Sequence, residues 1–257
     1  MADAFKKLQL ARKNGRPSGK YYIDHLLTDF VELHGDRRFG DDPAIIAGIG
    51  MLCGKPITVV AHEKGGDIRD KARRNFGSAH PEGYRKALRQ MKLAEKFHRP
   101  VLCIVDTAGA YAGIGAEERG QGQAIAENLM EMMALKTPIL SLFVGEGGSG
   151  GALALAVANE VWMLENAVYS VISPEGCASI LWKDASKVKD ACACLKMTAD
   201  DLLSLGVVEQ VIPETEELCA GLKQKLSEAF ARMNRLSPEE LCDQRYQRFR
   251  RLGVFGE

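Results

Sequence analysis

Short apolar runs alternate with polar, glycine-rich or helix-periodic stretches along this chain, and that alternation predicts most of its elements. Ala44–Cys53 and Pro56–Ala61 are strand-like runs split by Gly54-Lys55, a hairpin signal. From Pro81, residues Tyr84, Leu88, Met91, Ala94 and Phe97 fall on one helical face, with Pro81 at a first helical position and Pro100 just past the far end. Val101–Val105 is then a buried strand ending in a small-residue loop, Asp106–Gly113. Glu117 and Glu118 open the next helix, where acidic residues suit the dipole, and Ile125, Leu129 and Met132 supply its buried stripe. Ile139–Val144 is another strand, and the run Ala152–Ala158 beyond it begins with strong helix formers. Val161–Leu164, Val168–Ile172 and Val207–Ile212 complete the strands. Ser173-Pro174, Thr198-x-x-Asp201 and Ser237-x-x-Glu240 are helix starts. Earlier in the chain a helix spans roughly Ile23–Leu33. The loop after it, Gly35–Pro43, carries Asp36, Asp41 and Asp42, which suit turn caps better than a metal.

The repeating theme is a strand or strand pair, a loop of small residues, then a helix, near 45–97, 101–135, 139–159 and 161–183. It predicts an α/β domain of stacked strand–strand–helix units. We place an N-terminal helical segment over 1–40 and the main domain over 41–257, with a C-terminal helical region from about 214. Ligands in such folds gather at loops that follow strands, so Asp106–Gly113 and Gly145–Gly151 are expected to flank one cleft.

Composition narrows the function classes. At 257 residues the chain can bury a full core. Lys+Arg and Asp+Glu are both 34, which removes the charge argument for nucleic acid or an anionic membrane. No apolar stretch approaches the roughly 18 residues of a membrane span, and Met1–Lys20 lacks the apolar core of a signal peptide. The seven cysteines contain no CxxC, so no zinc site is expected. Their odd number within apolar runs suggests reduced thiols and a cytoplasmic location. The basic stretch Lys64–Arg74 is either a solvated face or a local phosphate or carboxylate contact.

The candidate chemistry sits after Ile139–Val144, where five of the eight residues Gly145–Ala152 are glycine. Backbone N–H groups opening a helix have no internal partner and favour negative charge. Three chemistries fit. Gly145-x-Gly147-x-x-Gly150 matches a dinucleotide fingerprint with Glu165 at a distance suited to a ribose, but it lies mid-chain. Gly147-Gly148-Ser149-Gly150-Gly151 matches a hydrolase nucleophile elbow. All five histidines (His25, His34, His62, His80, His98) precede Ser149, the wrong order for that fold. An oxyanion hole made of backbone alone fits best.

Several longer blocks carry a resemblance. They are Arg73–Gly77, Pro81–Ala87, Gly115–Gln121, Gly145–Leu153 and Tyr169–Lys183. Through them the chain resembles the carboxyltransferase alpha-subunit family of bacterial acetyl-CoA carboxylase, within the crotonase-like superfamily. The likeness runs from about residue 20 to the C-terminus. The resemblance implies a crotonase-like superhelix of ββα units with flanking terminal helices. It also implies a biotin-dependent carboxyl transfer from carboxybiotin, held on a biotin carboxyl carrier protein, to acetyl-CoA, giving malonyl-CoA for fatty acid synthesis. A zinc-bearing beta subunit would hold most of the CoA, biotin carboxylase would load the carrier, and an alpha2beta2 assembly is implied. By position in that family, Gly150, Gly151 and Ala152 are the candidate oxyanion hole for the ureido oxygen of biotin, and Ala112 and Gly113 line the cleft. The family usually has proline where this chain has Ala108 and Ala112, which leaves the loop less fixed. A non-catalytic assembly subunit is the alternative reading. Leu195-Lys196-Met197 is similar to the surroundings of a biotinylated lysine, but it lies in a helix-like stretch, so Lys196 reads as an ordinary surface lysine.

Overall fold

The computed structural model describes residues 3–253. Eight strands form one sheet: β1 Thr28–Glu32, β2 Ile45–Leu52, β3 Lys55–His62, β4 Val101–Thr107, β5 Ile139–Gly148, β6 Glu160–Leu164, β7 Val168–Ser170 and β8 Gln210–Ile212. Their order is β1-β2-β3-β4-β5-β6-β8, with β7 pairing β5 off the main path. β1, β2 and β3 are antiparallel, and every pairing from β3 onward is parallel. β5 pairs β6 through Leu140–Phe143 and then β7 through Glu146–Gly148. One strand thus serves two neighbours along its length, as a stacked ββα fold requires. β4 and β5 are buried at every position, so they carry near-continuous apolar runs instead of alternation.

The hairpin, the helix Pro81–Lys96 and the caps stand where the pattern predicts them. The β2–β3 turn places Cys53 and Gly54 at positive φ, 48° and 76°, the backbone of a tight two-residue hairpin. Pro81 begins its helix, and Tyr84, Met91 and Ala94 are fully buried, whereas Phe97 lies past the helix end and is exposed. Ser173 Oγ accepts from Gly176 N–H, and Thr198 and Ser237 form complete capping boxes.

Three elements differ from expectation. The early helix is Gly19–Leu26, and Thr28–Glu32 is an edge strand instead of its continuation. A bulge around Asp29 (φ 53°) shifts the register between Thr28 and Val31 and lets this strand pair with β2. Glu117 and Glu118 close a short helix, Ile114–Glu118. Gly120 then turns at φ 81°, and the long helix is Gln121–Ala134. The helix after the glycines is only Ser149–Leu153. Beyond it, carbonyls bond sideways: Asn128 Nδ2 donates to Ala154 O and Ser141 Oγ to Leu155 O. Residues 154–158 therefore run as turns, and Asn159 returns the chain to β5 through Ile139.

Candidate active site

β4 and β5 end side by side, with Thr107 level with Gly147. β5 continues through Gly145–Gly148, with a register shift against β4 between Phe143 and Gly147, so these glycines are strand, not loop. Their missing side chains admit protein neighbours. A Cβ would collide with the Asp106 carboxylate at Gly145, the Phe143 ring at Gly147 and the Ala108 carbonyl at Gly148. At Gly151 it would collide with Ala110 N and lie 2.8 Å from the Tyr84 hydroxyl. Gly150 alone has room, its nearest neighbour being Ile125 Cγ2 at 3.6 Å.

Ser149 makes the bend from strand to helix at φ 50°, an uncommon conformation for a residue with a side chain. Immediately after it, the Gly150 and Gly151 N–H groups have no hydrogen-bond partner among the described residues. Ala152, the third expected member, is buried, as is Gly151. A five-residue helix carries little macrodipole, so any anion here would be held by these local donors. Gly150 lines a groove of about 350 Å³ with Ser149, Leu153, Tyr169, Ser170 and Val171.

The neighbouring loop is held firmly despite lacking proline at Ala108 and Ala112. Thr107 Oγ1 accepts from Gly109 N–H and donates to Gly109 O. Tyr111 N–H donates to Ala79 O, and Gln121 Nε2 bridges Ala79 O and Tyr111 O. Ala108–Ala110 of this loop pack on Gly148 and Gly151. Ala112 is exposed. The Gly113 carbonyl accepts from Ala116 and Glu117 N–H, which places Gly113 at the start of the next helix, further from the glycine turn.

Behind the turn lies a buried polar group that sequence reasoning did not single out. Lys64 Nζ pairs with Asp106 at 2.5 Å, and Asp106 Oδ1 accepts from Glu146 N–H at 2.9 Å. Burial pushes the Asp106 carboxyl up, against the pull of Lys64. His62 and Tyr84 are fully buried, ring edge to ring face at 6.4 Å, and neither the imidazole nor the phenol has a hydrogen-bond partner among the described residues. Burial lowers the His62 pKa to about 3 and raises that of Tyr84. Their only sequence signal was apolar company: Tyr84 sat in a core stripe, and His62 closed an apolar strand.

The competing chemistries fail on contacts. Glu165 Oε1 accepts from Glu214 N–H at 2.8 Å, so it caps a loop instead of facing a ribose. No histidine or lysine bonds the exposed Ser149 hydroxyl among the described residues, and the neighbours of Gly145–Gly148 are protein atoms. Of the basic stretch, Arg73 and Arg74 pair with Asp70, and Lys71 reaches Asn14. Asp36, Asp41 and Asp42 each accept backbone N–H groups, as turn caps do. Lys196 is exposed at a helix C-cap, φ 50°.

A mixed sheet whose parallel strands β4 and β5 end in a packed loop and a donor turn is shared by solved structures. The chain superposes on a transcarboxylase 12S bound to methylmalonyl-coenzyme A with a TM-score of 0.72 at 18% identity, covering 87% of this chain and 42% of that one. It superposes on a chain of a Pseudomonas malonate decarboxylase hetero-tetramer in complex with coenzyme A with a TM-score of 0.71 at 22% identity, covering 91% and 98%. At these identities the likeness is one of fold. The family model for acetyl co-enzyme A carboxylase carboxyltransferase-like proteins matches residues 2–253. The acetyl-coenzyme A carboxylase carboxyl transferase subunit alpha of Ruminiclostridium cellulolyticum is 60% identical over 98% of both chains, and that of Streptococcus thermophilus is 54% identical over 98% of this chain and all of its own. The chain belongs to this carboxyltransferase family.

Proposed function

We propose that this chain is the biotin-facing half of an acetyl-CoA carboxyltransferase. In this reading a beta-type partner supplies the CoA-holding half, and a biotin carboxyl carrier protein brings the cofactor. The observation that carries it is the pair of N–H groups at Gly150 and Gly151 without a partner among the described residues, the first of which lines an open groove. Carboxybiotin, when bound, would supply the carboxyl group and a ureido oxygen that gains negative charge as the group leaves. Gly150 and Gly151 would donate to that oxygen without a titrating side chain, and one such donor is worth about 3 kcal/mol in comparable enzymes. The Ala108–Ala110 loop, packed against Gly148 and Gly151, holds the donors in place before any ligand arrives. Ala152 belongs to the same turn as a supporting position, and Ala112 and Gly113 line the outer cleft. The domain arrangement follows: residues 41–257 carry the half-site, and 1–40 brace it.

The firm loop weighs against a purely structural subunit. The test is an amide ¹H–¹⁵N titration of the full chain with biotin methyl ester. Gly150 and Gly151 are expected to shift most. Shifts confined to other regions, with these two unmoved, would remove the assignment.

A further inference from the structure

A second cluster of cations lies outside this site. The loop 34–40 faces the helix Pro81–Lys96 across a cleft of about 430 Å³, lined by Arg37, Arg38, Arg85, Arg89, Lys92 and Lys96 over an apolar floor of Leu88 and Leu93. Two carboxylates also line it. Asp36 is taken by Arg85 at 2.7 Å and Glu127 by Arg38 at 3.2 Å, while Lys92 pairs with Glu131 at 3.1 Å. Arg37, Arg89 and Lys96 have no carboxylate partner among the described residues.

Two of these converge. Arg37 Nη1 donates to His34 O at 2.9 Å, and Arg89 Nη2 donates to the same oxygen at 3.0 Å. Arg89 Nε donates to Gly35 O at 2.9 Å, and the Gln90 amide oxygen, oriented as its neighbours require, accepts from Arg89 Nη2 at 2.7 Å. Every acceptor is neutral. Two guanidinium groups therefore share one carbonyl oxygen, and burial and the Arg37 charge lower the Arg89 pKa against the pull of Asp36 and Asp41. Arg37 also sits at φ 65°, a conformation that costs an L-residue free energy and that glycine would take freely. Strain of this kind persists where the residue serves a purpose. Here it brings a cation with most of its donors free to the edge of the cleft.

We propose that Arg37, Arg89 and Lys96 form a binding site for a small phosphate-bearing anion whose apolar portion rests on Leu88 and Leu93. Guanidinium forks match phosphate oxygens, and the cleft has the size of a small-molecule site. The proposal does not rest on the carboxyl-transfer reading, because none of these residues belongs to the Gly150–Gly151 turn.

Calorimetric titration of the full chain with pyrophosphate at low salt tests it. Saturable binding is expected, weakened about ten-fold or more by R37G and by R89Q and unaffected by K225A on a remote helix. R37G is the sharper variant, since it relieves the strained φ: binding should fall while the melting temperature holds or rises. R89Q provides the same reading should the 34–40 loop loosen in R37G. No binding at millimolar pyrophosphate, binding by both variants as tight as that of the unaltered chain, or binding of a hexaglutamate peptide in its place would overturn the proposal.

Discussion

Gly150 and Gly151 are adjacent and free at the same backbone atoms, yet their environments make opposite demands. An alanine Cβ at 151 would strike the Ala110 backbone, which cannot step aside, whereas at 150 it meets only Ile125 at van der Waals distance. Gly151→Ala is expected to lose about 1–3 kcal/mol of stability by overpacking. Gly150→Ala should be neutral or stabilising by up to about 1 kcal/mol, as urea melts will measure. Activity lost in a Gly151 variant therefore reports on packing as well as on the anion site. His62 makes a second residue-scale prediction. Burial holds its folded pKa near 3, below the ordinary 6.5, so from pH 6.5 downward the unfolded chain takes up a proton that the folded chain refuses. Stability must fall with pH across that window, by about 2 kcal/mol from this residue between pH 7 and pH 5. His62→Leu should flatten the dependence in urea melts at the two pH values. An unchanged slope would mean the imidazole accepts its proton in place. Asp36 acts at lower pH. Burial alone would raise its pKa, but the Arg38 and Phe39 N–H groups and Arg85 bring it to about 2, so its contribution is present above pH 3.8 and lost on acidification toward 2.

Elements were legible in the sequence where local chemistry and tertiary demand agree. The helix Pro81–Lys96 has a proline start, a 3.6-residue apolar stripe and a proline stop, and all three point one way. The helix after the glycines was misjudged because Ala152–Ala158 has high intrinsic helix propensity. Ser141 and Asn128 claim its carbonyls from other strands and helices, and no local pattern reveals that. The edge strand Thr28–Glu32 was hidden by a bulge that breaks the two-residue alternation. Asn159, a residue no motif marked, ties the start of β5 to the C-terminal helix Pro238–Arg250. Its side chain accepts from Ile139 N–H and Arg245 Nη1, and donates to Leu241 O and Gln244 Oε1. Asn159→Ala would leave a fully buried guanidinium and a strand N–H short of partners, a loss of about 3 kcal/mol. Ser237→Ala, which removes only a cap, should lose about 1 kcal/mol. Guanidinium melts of the two variants should rank them in that order; the reverse ranking would show that the C-terminal helix is held mainly by its cap.

At the scale of the whole molecule, stacking brings the ends of β4 and β5 together; Ala108–Ala110 pack directly on Gly148 and Gly151, and the groove beside Gly150 opens toward Tyr169–Val171 instead of between the two loops. The rhythm of runs and small-residue loops made the meeting of these two strand ends legible. The mid-chain position of the motif weighed against a dinucleotide site and the order of the histidines against a hydrolase, whereas Glu165, spaced to suit a ribose, is excluded only by its contact with the Glu214 N–H. The rhythm could not reveal that most of the glycines serve close packing, because Asp106, Phe143 and Ala108 approach them only in the folded chain. Nor could it name the anion, which rests on family membership. The chain presents one donor turn, and no group of three or more His, Cys, Asp or Glu side chains suited to a metal ion occurs among the described residues. The central claim is that this is half of a carboxyltransferase. Malonyl-CoA formation from acetyl-CoA and carboxybiotin, measured with the purified chain alone and after adding its beta-type partner, tests it most directly. The account expects no product from the chain alone and turnover once the partner is present. Turnover by the chain alone, or none from the assembled pair, would contradict it.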